Sequence, residues 1–330
     1  MGTEDRRRWL ARRLAAADGF VSGAVLAEEL GVSRVAVWKQ VRRLRAEGYA
    51  VDTSDDGYRL RIRPDGLLPE EVRFGLDTRA FGQSVEGHRI TASTNSVARA
   101  AAEDGAPHGH LVLAEEQTQG RGRRGRTWVS PPGGLWFSLV LREGLAVAEL
   151  PLLSGAVGVA VADALARLGV AARIRWPNDI LVGERKCGGI LLELAGEAEA
   201  LTYAVVGIGL DVNVRPADAE PALAGSTTSL AEAVGRPVDR RRLLQELLVQ
   251  LERWCGAVRT APGAVLAAWR ARDALAGRWV RVVQGDTAVE GEALGIGDEG
   301  GLRLKLPDGR VVSRWSGDVV LVETARPPSA

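Results

Sequence analysis

The sequence predicts a multidomain α+β protein in three parts: residues 1–63, 64–272 and 273–330. Three observations lead to that class. Helical periodicity dominates the first sixty residues. In the middle, strand-like apolar runs come in adjacent groups with helices between them, the pattern of a mixed sheet. The chain ends in several short strands separated by Gly-Asp and Asp-Gly turns. At 330 residues and 46% hydrophobic composition there is ample apolar material for two or three domains.

The N-terminal part reads as helices over Asp5 to Ala17, closed by Asp18-Gly19, then over Ser22 to Leu30. Gly31-Val32 makes a tight turn, and Ser33 is placed to cap a third helix that runs to Ala46. In that helix Val37, Val41 and Leu44 recur at i, i+4, i+7 and form the buried stripe. Arg34, Ala36, Lys39, Gln40 and Arg43 are then expected on the outer face. A helix, a tight turn and a polar, basic second helix make the helix-turn-helix plan, whose second helix enters the DNA major groove. Tyr49 to Thr53, the turn Ser54-Asp55-Asp56-Gly57 and Tyr58 to Ile62 read as a hairpin in the place of a wing. Residues 1–63 hold 13 Lys plus Arg against 9 Asp plus Glu, a net of +4, while the remainder carries −3. A basic helical module for protein contact is the alternative.

Arg63-Pro64-Asp65-Gly66 reads as a linker. Beyond it, strands are expected at Gly87–Ala92, Leu111–Glu116, Leu135–Arg142, Ala172–Trp176, Ile180–Val182, Lys186–Ala195 and Leu201–Val214. Helices are expected at Asn95–Asp104, Leu150–Leu168, Thr228–Val234, Asp239–Arg259 and Ala264–Arg272. The helices should cover one face of the sheet. The closing strands, Trp279–Gln284, Ala288–Ile296, Leu302–Leu306, Arg310–Ser316 and Val319–Val322, suggest a small barrel.

Several classes of function are excluded. A net charge of +1 gives no general attraction to nucleic acid. Cys187 and Cys255 lie far apart with no metal spacing, so neither a disulfide framework nor a zinc site is expected. The N-terminus is charged and lacks the apolar core of a signal peptide. The most apolar stretch, Leu150 to Val170, contains Ser154, Asp163 and Arg167 and reads as a buried helix, not a membrane span. A cytoplasmic protein without membrane contact is expected. No GxxxxGK[ST] loop is present. His88, His108 and His110 fall in no metal or triad pattern. Lysine occurs only at 39, 186 and 305 in an arginine-rich chain, which makes each position worth a question.

Chemistry concentrates in five segments. Gly120-Arg121-Gly122-Arg123-Arg124-Gly125-Arg126, followed by Thr127-Trp128, puts four guanidiniums among three glycines. Glycine lets backbone approach a ligand, and arginine offers a planar fork for phosphate or carboxylate oxygens. Alone, the heptad is equally a solvated basic loop or an RNA-binding tract. Ser93-Thr94-Asn95 lies between a strand and a helix, where hydroxyls can cap the helix or bond a polar ligand head. In Arg175-Trp176-Pro177-Asn178-Asp179, Asp179 offers a hard oxygen suited to Mg²⁺. Arg185 to Glu193 places Lys186 before Gly188-Gly189 and an apolar strand, and Gly207 to Asn213 is a second glycine-punctuated strand end. Together, arginines for phosphates, Asp179 for Mg²⁺, Lys186 at a carboxylate–phosphate junction and glycines for a flat ligand suit adenylation of a carboxylic acid.

The motifs GRGRRGR-x-W, RWPND, RKCGGILLE and GIGLxVNV, in this order behind a winged helix with VSRVAVWKQV and GYRL, resemble biotin–protein ligases of the bifunctional ligase–repressor kind. The resemblance covers nearly the whole chain. It implies a winged helix-turn-helix DNA-binding domain, a central biotin/lipoate ligase-like domain and a C-terminal SH3-like barrel. It implies synthesis of biotinyl-5′-AMP from biotin and MgATP. Biotin would then pass to a lysine of a biotin carboxyl carrier domain of acetyl-CoA or pyruvate carboxylase. The adenylate-bound protein would form a homodimer on operator DNA and repress biotin genes. Lys186 and Arg121 correspond to the catalytic residues. Ser93, Thr94, Asn95, Gln117, Gly120, Arg121, Gly122, Arg123, Lys186, Gly189 and Leu191 correspond to the biotin site. Arg123, Arg124, Arg126, Trp128, Asn178, Asp179, Gly209, Leu210 and Asp211 correspond to the ATP and adenylate side, with Asp179 facing Mg²⁺. Ser33, Arg34, Ala36, Lys39 and Gln40 correspond to the DNA-reading positions.

One position departs from the pattern. The family usually has Asn where this chain has Asp211. An ionised carboxylate accepts hydrogen bonds but donates none, so weaker ATP binding is expected, by about 1 kcal/mol for one lost bond. Two other readings remain: a ligand-sensing regulator without catalysis, and a lipoate–protein ligase.

Overall fold

The computed structural model describes residues 3–46, 49–61, 67–142, 149–197 and 200–322. The chain divides into two compact units: Met1–Asp77 with Asp239–Gln245, and Thr78–Val238 with Glu246–Ala330. The expected linker at 63–66 and the strand end at Ile62 lie outside the described residues.

The first unit contains α1 (Thr3–Ala15), α2 (Gly23–Leu30), α3 (Arg34–Ala46), the hairpin β1 (Ala50–Ser54) and β2 (Gly57–Arg61), and the short α4 (Pro69–Arg73), which the sequence pattern did not suggest. Leu10 and Leu14 of α1, Leu26 and Leu30 of α2, and Val37, Val41 and Leu44 of α3 form one core. Ser22 caps α2 by accepting from the Ala24 N–H. Gly31 closes α2 in the left-handed region at φ 62°, where a residue without Cβ is favoured. Ser33 accepts from the Ala36 N–H and starts α3 as expected. The hairpin pairs Ser54 with Gly57 and Ala50 with Arg61. At Gly57, φ 124°, an added Cβ would sit 2.1 Å from the Val21 carbonyl oxygen, so only glycine fits.

One assignment on α3 is corrected. Gln40 is 8% exposed, not on the outer face, and its Oε1 is buried without a hydrogen-bond partner. It falls three residues after Val37 and four before Leu44, on the same helical stripe. Ser33, Arg34 and Lys39 are exposed and Ala36 is half-buried. Val35 and Trp38, two apolar side chains the sequence reading left aside, are exposed there too, with Arg42 stacked 4.9 Å from the Trp38 ring.

The second unit is built on a seven-stranded sheet. Along the chain come β3 (Val85–Thr91), α5 (Thr94–Glu103), β4 (Leu111–Gln117), β5 (Leu135–Leu141), α6 (Leu150–Ala166), β6 (Ala172–Arg175), β7 (Asp179–Val182), β8 (Arg185–Glu197) and β9 (Ala200–Leu210). Then follow α7 (Pro216–Ala219), α8 (Leu230–Val234), α9 (Arg240–Thr260), whose residues up to Gln245 count with the first unit, and α10 (Pro262–Arg270). The sheet order is β3-β4-β5-β9-β8-β7-β6. Only β3 and β4 pair in parallel, because α5 carries the chain back between them. The sheet is therefore mixed, as expected. All seven β5 residues are buried, so its run of apolar side chains shows no alternation. Helix α6 is buried along most of its length, and Gly155 admits the Trp269 ring of α10. No helix among the described residues is long and apolar enough to cross a membrane.

The last strands, β10 (Trp279–Gln284), β11 (Thr287–Ile296), β12 (Leu302–Lys305), β13 (Val311–Arg314) and β14 (Asp318–Leu321), form one antiparallel sheet in the order β13-β12-β11-β10-β14.

Candidate active site

A cavity of about 570 Å³ opens in the second unit, where the strand ends of the large sheet meet the arginine loop and the start of β14. One end of it is neutral and polar. Ser93 precedes α5 but makes no cap bond, so the capping alternative is not what its hydroxyl does. The Thr94 N–H and hydroxyl both donate to Gln117 Oε1, at 2.8 and 3.1 Å. Gln117 Nε2 donates to Ser130 Oγ at 2.8 Å. The Ser138 hydroxyl lies 2.6 Å from Asn95 Oδ1, and Asn95 Nδ2 donates to Glu193 Oε2 at 2.8 Å. Gly207 is needed there, since an added Cβ would meet the Asn95 carboxamide at 2.1 Å.

The middle of the cavity is a glycine shelf. Gly189 of β8 lies opposite Gly209 of β9, and the Trp128 indole covers both. A Cβ would come within 3.3 Å of that ring at Gly189 and 2.6 Å at Gly209. The flat group these glycines admit is thus a side chain of this protein. Trp128 Nε1 is buried without a partner, and Lys186 Nζ stands 4.9 Å from the ring centre.

Ionic pairs make up the other wall. Asp179 Oδ1 is 2.6 Å from Lys186 Nζ, and Asp179 Oδ2 accepts from Arg175 Nη2 at 2.6 Å. Burial opposes its charge, but Lys186 and Arg175 outweigh burial and hold the Asp179 carboxyl below the ordinary range. Arg121 Nη2 lies 3.1 Å from Glu193 Oε2. Arg123 Nη1 donates to the Gly317 carbonyl at 3.2 Å and to Asn178 Oδ1 at 3.4 Å. Arg126 and Arg124 share Asp318, at 2.6 and 3.2 Å. Within the loop the Gly122 N–H donates to the Arg126 carbonyl and the Trp128 N–H to the Gly120 carbonyl. Arg124 takes a left-handed φ of 55°.

Most of the site residues expected from the sequence therefore meet at one cavity. Three do not line it: Gly120, Arg124 and Leu210. Gly120 packs under Trp128, where a Cβ would strike its carbonyl oxygen at 2.2 Å. Arg124 points to Asp318 and the Val283 carbonyl, and Leu210 belongs to the core. The cavity adds residues to which the sequence reading gave no role. These are Asp318 with its neighbours Gly317 and Val319, and the segment holding Pro216, Glu220 and Thr227; Glu193, which does not line the cavity, holds Arg121. Glu193 could have been noticed as a half-buried acid in an apolar strand. Asp318 carried no signal.

Three family models match the chain: the HTH domain over 6–59, the biotin/lipoate A/B protein ligase family over 87–211, and the biotin protein ligase C-terminal domain over 276–322. The bifunctional ligase/repressor BirA of Bacillus subtilis is 37% identical over 93% of this chain and 95% of its own length. That of Escherichia coli is 33% identical over 93% and 94%. The biotin protein ligase of Aquifex aeolicus in complex with biotin and ATP superposes with a TM-score of 0.63 at 26% identity, covering 73% of this chain and all of that one. With an arginine loop, a lysine–aspartate pair and a glycine shelf in one cavity, and a helix-turn-helix unit ahead of them, the chain belongs to the biotin protein ligase family, in its bifunctional ligase/repressor branch.

Proposed function

We propose that the chain joins biotin to ATP and hands the activated biotin to a carrier protein. A biotin carboxylate oxygen attacks the α-phosphorus of MgATP and pyrophosphate leaves, giving biotinyl-5′-AMP. The amine of a lysine on a biotin carboxyl carrier domain then attacks the acyl carbon, releases AMP and gives a proton to the medium. The observation that carries this reading is the position of Lys186. Its ammonium lies 2.6 Å from Asp179 and beside Trp128, in a cavity with a neutral hydrogen-bonding end and an arginine-rich wall. A cation so placed can neutralise the carboxylate and the α-phosphate as they approach. Thr94, Asn95 and Gln117 suit a uncharged polar head group, while Arg121 and Arg123 suit the acyl phosphate. Asn178 and Trp128 would border the nucleotide.

A resident Mg²⁺ does not fit the residues present. Both Asp179 oxygens are taken up by Lys186 and Arg175, and the described residues contain no group of three candidate metal ligands. Mg²⁺ enters as part of the MgATP substrate, and the protein's own share of charge neutralisation falls to its arginines and Lys186.

The N-terminal unit supports operator binding. Ser33 just ahead of α3 and Arg34 and Lys39 on it are exposed, joined by Val35 and Trp38, whose apolar surfaces suit thymine methyl groups. Gln40 is withdrawn from that set. In the wing, Arg59 and Arg61 pair with Asp52, while Asp55 and Asp56 are exposed and unfavourable next to phosphate. We expect the adenylate-bound form to dimerise on a palindromic operator, with sedimentation as the check.

Mass spectrometry after incubation with MgATP and equimolar biotin and lipoate tests the ligase reading. A biotinyl-adenylate peak is expected. A lipoyl-adenylate in its place moves the chain to the sister activity, and neither product leaves a ligand sensor. A promoter footprint indifferent to biotin would remove the coupling to repression.

A further inference from the structure

Glu193 is not part of the cavity wall, yet it holds a group that is. Gly189, Leu191 and Glu193 are alternate residues of β8 and share one face of the strand, with Glu193 about 7 Å beyond Leu191. Gly189 and Leu191 line the cavity. Pairing with Val205 of β9 fixes the Glu193 backbone. Its Oε2 accepts twice: from Asn95 Nδ2 at 2.8 Å and from Arg121 Nη2 at 3.1 Å. Asn95 is 4% exposed, and its Oδ1 accepts from the Ser138 hydroxyl at 2.6 Å. One carboxylate oxygen thus joins Arg121 to the ordered neutral end of the cavity. The other arginines of the loop have no such tie. Arg124 and Arg126 meet Asp318, and Arg123 meets the Gly317 carbonyl and Asn178.

Stability does not account for the pair. The Arg121 and Glu193 side chains are 36% and 26% exposed, and ion pairs in that range add little to a fold. Geometry has the sharper consequence. A guanidinium is a planar fork, so holding Nη2 sets the directions of its other donors. Arg121 Nε is buried and has no partner among the described residues. A donor in that state costs free energy until an oxygen accepts from it. Arg121 lines the cavity, so a ligand can bring that oxygen. Cut loose from Glu193, the long side chain would sample its rotamers and would have to be ordered again at each encounter.

Resting on the ligase reading, we propose that Glu193 is a positioning residue for adenylation. It anchors Arg121 to the neutral end, so that the guanidinium meets the carboxylate–phosphate junction already aligned. Glu193 touches no substrate and carries no proton in the reaction. The carboxylate oxygen attacks the α-phosphorus and pyrophosphate leaves, as before. That step is faster because Arg121 need not be ordered while charge redistributes. The effect belongs to the transition state, so it falls on the rate and leaves biotin affinity nearly untouched.

The test is single-turnover biotinyl-adenylate formation by the full chain, for wild type, Glu193→Ala, Glu193→Gln, Arg121→Ala and the double variants. Calorimetric Kd for biotin and the melting temperature are taken on the same samples. Glu193→Ala should slow the step by about 10- to 30-fold, the scale of a misplaced positioning group. Its Kd for biotin should stay within about threefold, since Asn95 keeps Ser138. Glu193→Gln keeps the shape and an acceptor but loses the charge, and should stay within about fivefold of the wild-type rate. In the Arg121→Ala background, Glu193→Ala should add less than about twofold, because the group it holds is gone. If Glu193→Ala does not fold, Glu193→Gln completes the same cycle. A rate in Glu193→Ala equal to or above wild type, even with a lowered melting temperature, would overturn the proposal. So would a full further loss in the Arg121→Ala background. No adenylate from wild type that still binds biotin sinks the ligase reading and this role with it. Adenylate at equal rates with and without Glu193 sinks the role of Glu193 alone.

Discussion

At the Ser93–Asn95 end of the cavity, Thr94, Asn95, Gln117, Ser130 and Ser138 hold one another through neutral hydrogen bonds, deep in the sheet. At the arginine wall, every cation but Arg123 rests on a carboxylate of the protein itself: Lys186 and Arg175 on Asp179, Arg121 on Glu193, Arg124 and Arg126 on Asp318, while Arg123 donates to the Gly317 carbonyl and Asn178. The two ends bind by different arithmetic. A ligand entering the neutral end meets donors and acceptors already oriented. An anion arriving at the wall gains only the difference between its own pairing and the pair it replaces. Affinity at the wall should therefore respond to salt and to single charge changes, and affinity at the neutral end should not.

The largest effect is expected at the junction of the two ends. Lys186→Ala removes the cation shared by Asp179 and the Trp128 face. Single-turnover biotinyl-adenylate formation should fall by about 10² to 10³, the scale of losing one charge stabiliser of a transition state. Normal turnover in this variant would remove Lys186 from the chemistry. Next in size is Asn95→Ala, which strips a partner from both Ser138 and Glu193. Ser138 keeps Thr94 and Glu193 keeps Arg121, so the loss of these two bonds should weaken biotin by about tenfold, with ATP affinity within about twofold. An equal loss for ATP would show that the two ends are not independent.

How far this site was legible in the sequence follows the same division. The Lys186, Asp179 and Arg175 cluster could be read because each residue sits in a short segment whose chemistry is explicit. The strands carrying them were readable from apolar runs bounded by glycine and proline. What escaped was long-range. Asp318 is 192 residues from Arg126 and stands in an ordinary strand start, so no local spacing announces the pair. Trp128 was expected beside a ligand, but only the packed sheet shows that the glycines were spaced for its indole. Gln40 was misplaced because polarity was weighed above its helical phase, which puts it on the stripe of Val37, Val41 and Leu44. The short α4 was missed because five residues give too little periodicity to detect.

Asp211 belongs to neither end by its chemistry, and it gives the comparison a readout in stability. Its folded carboxyl titrates near 8, above its ordinary 3.8. The native state thus holds a proton that the unfolded chain releases as pH rises from about 4. This group's contribution is fully present below its unfolded value and is lost as pH climbs through its folded one. Asp211→Asn cannot lose it. The melting temperature of the variant should be nearest wild type below about pH 4 and should exceed it by a growing margin up to about pH 8, one pKa unit being about 1.4 kcal/mol. A gap that stays flat between about pH 5 and pH 8 would mean that Asp211 is ionised in the fold.

The smallest effect is expected at Asp318. Its pairs with Arg124 and Arg126 are partly exposed, with side-chain exposures of 33% for the acid and 35% and 63% for the arginines. Such pairs are worth up to about 1 kcal/mol. Asp318→Asn frees two guanidiniums facing the arginine loop without emptying the space. If the acid merely occupies cations that phosphate would otherwise take, ATP should bind about two- to fivefold tighter in low salt. The gain should vanish near 0.5 M salt, where the Debye length falls to about 4 Å. A tenfold loss of ATP affinity would mean the reverse. Asp318 would then hold the loop in its binding shape, and the ionic wall would be as preorganised as the neutral end.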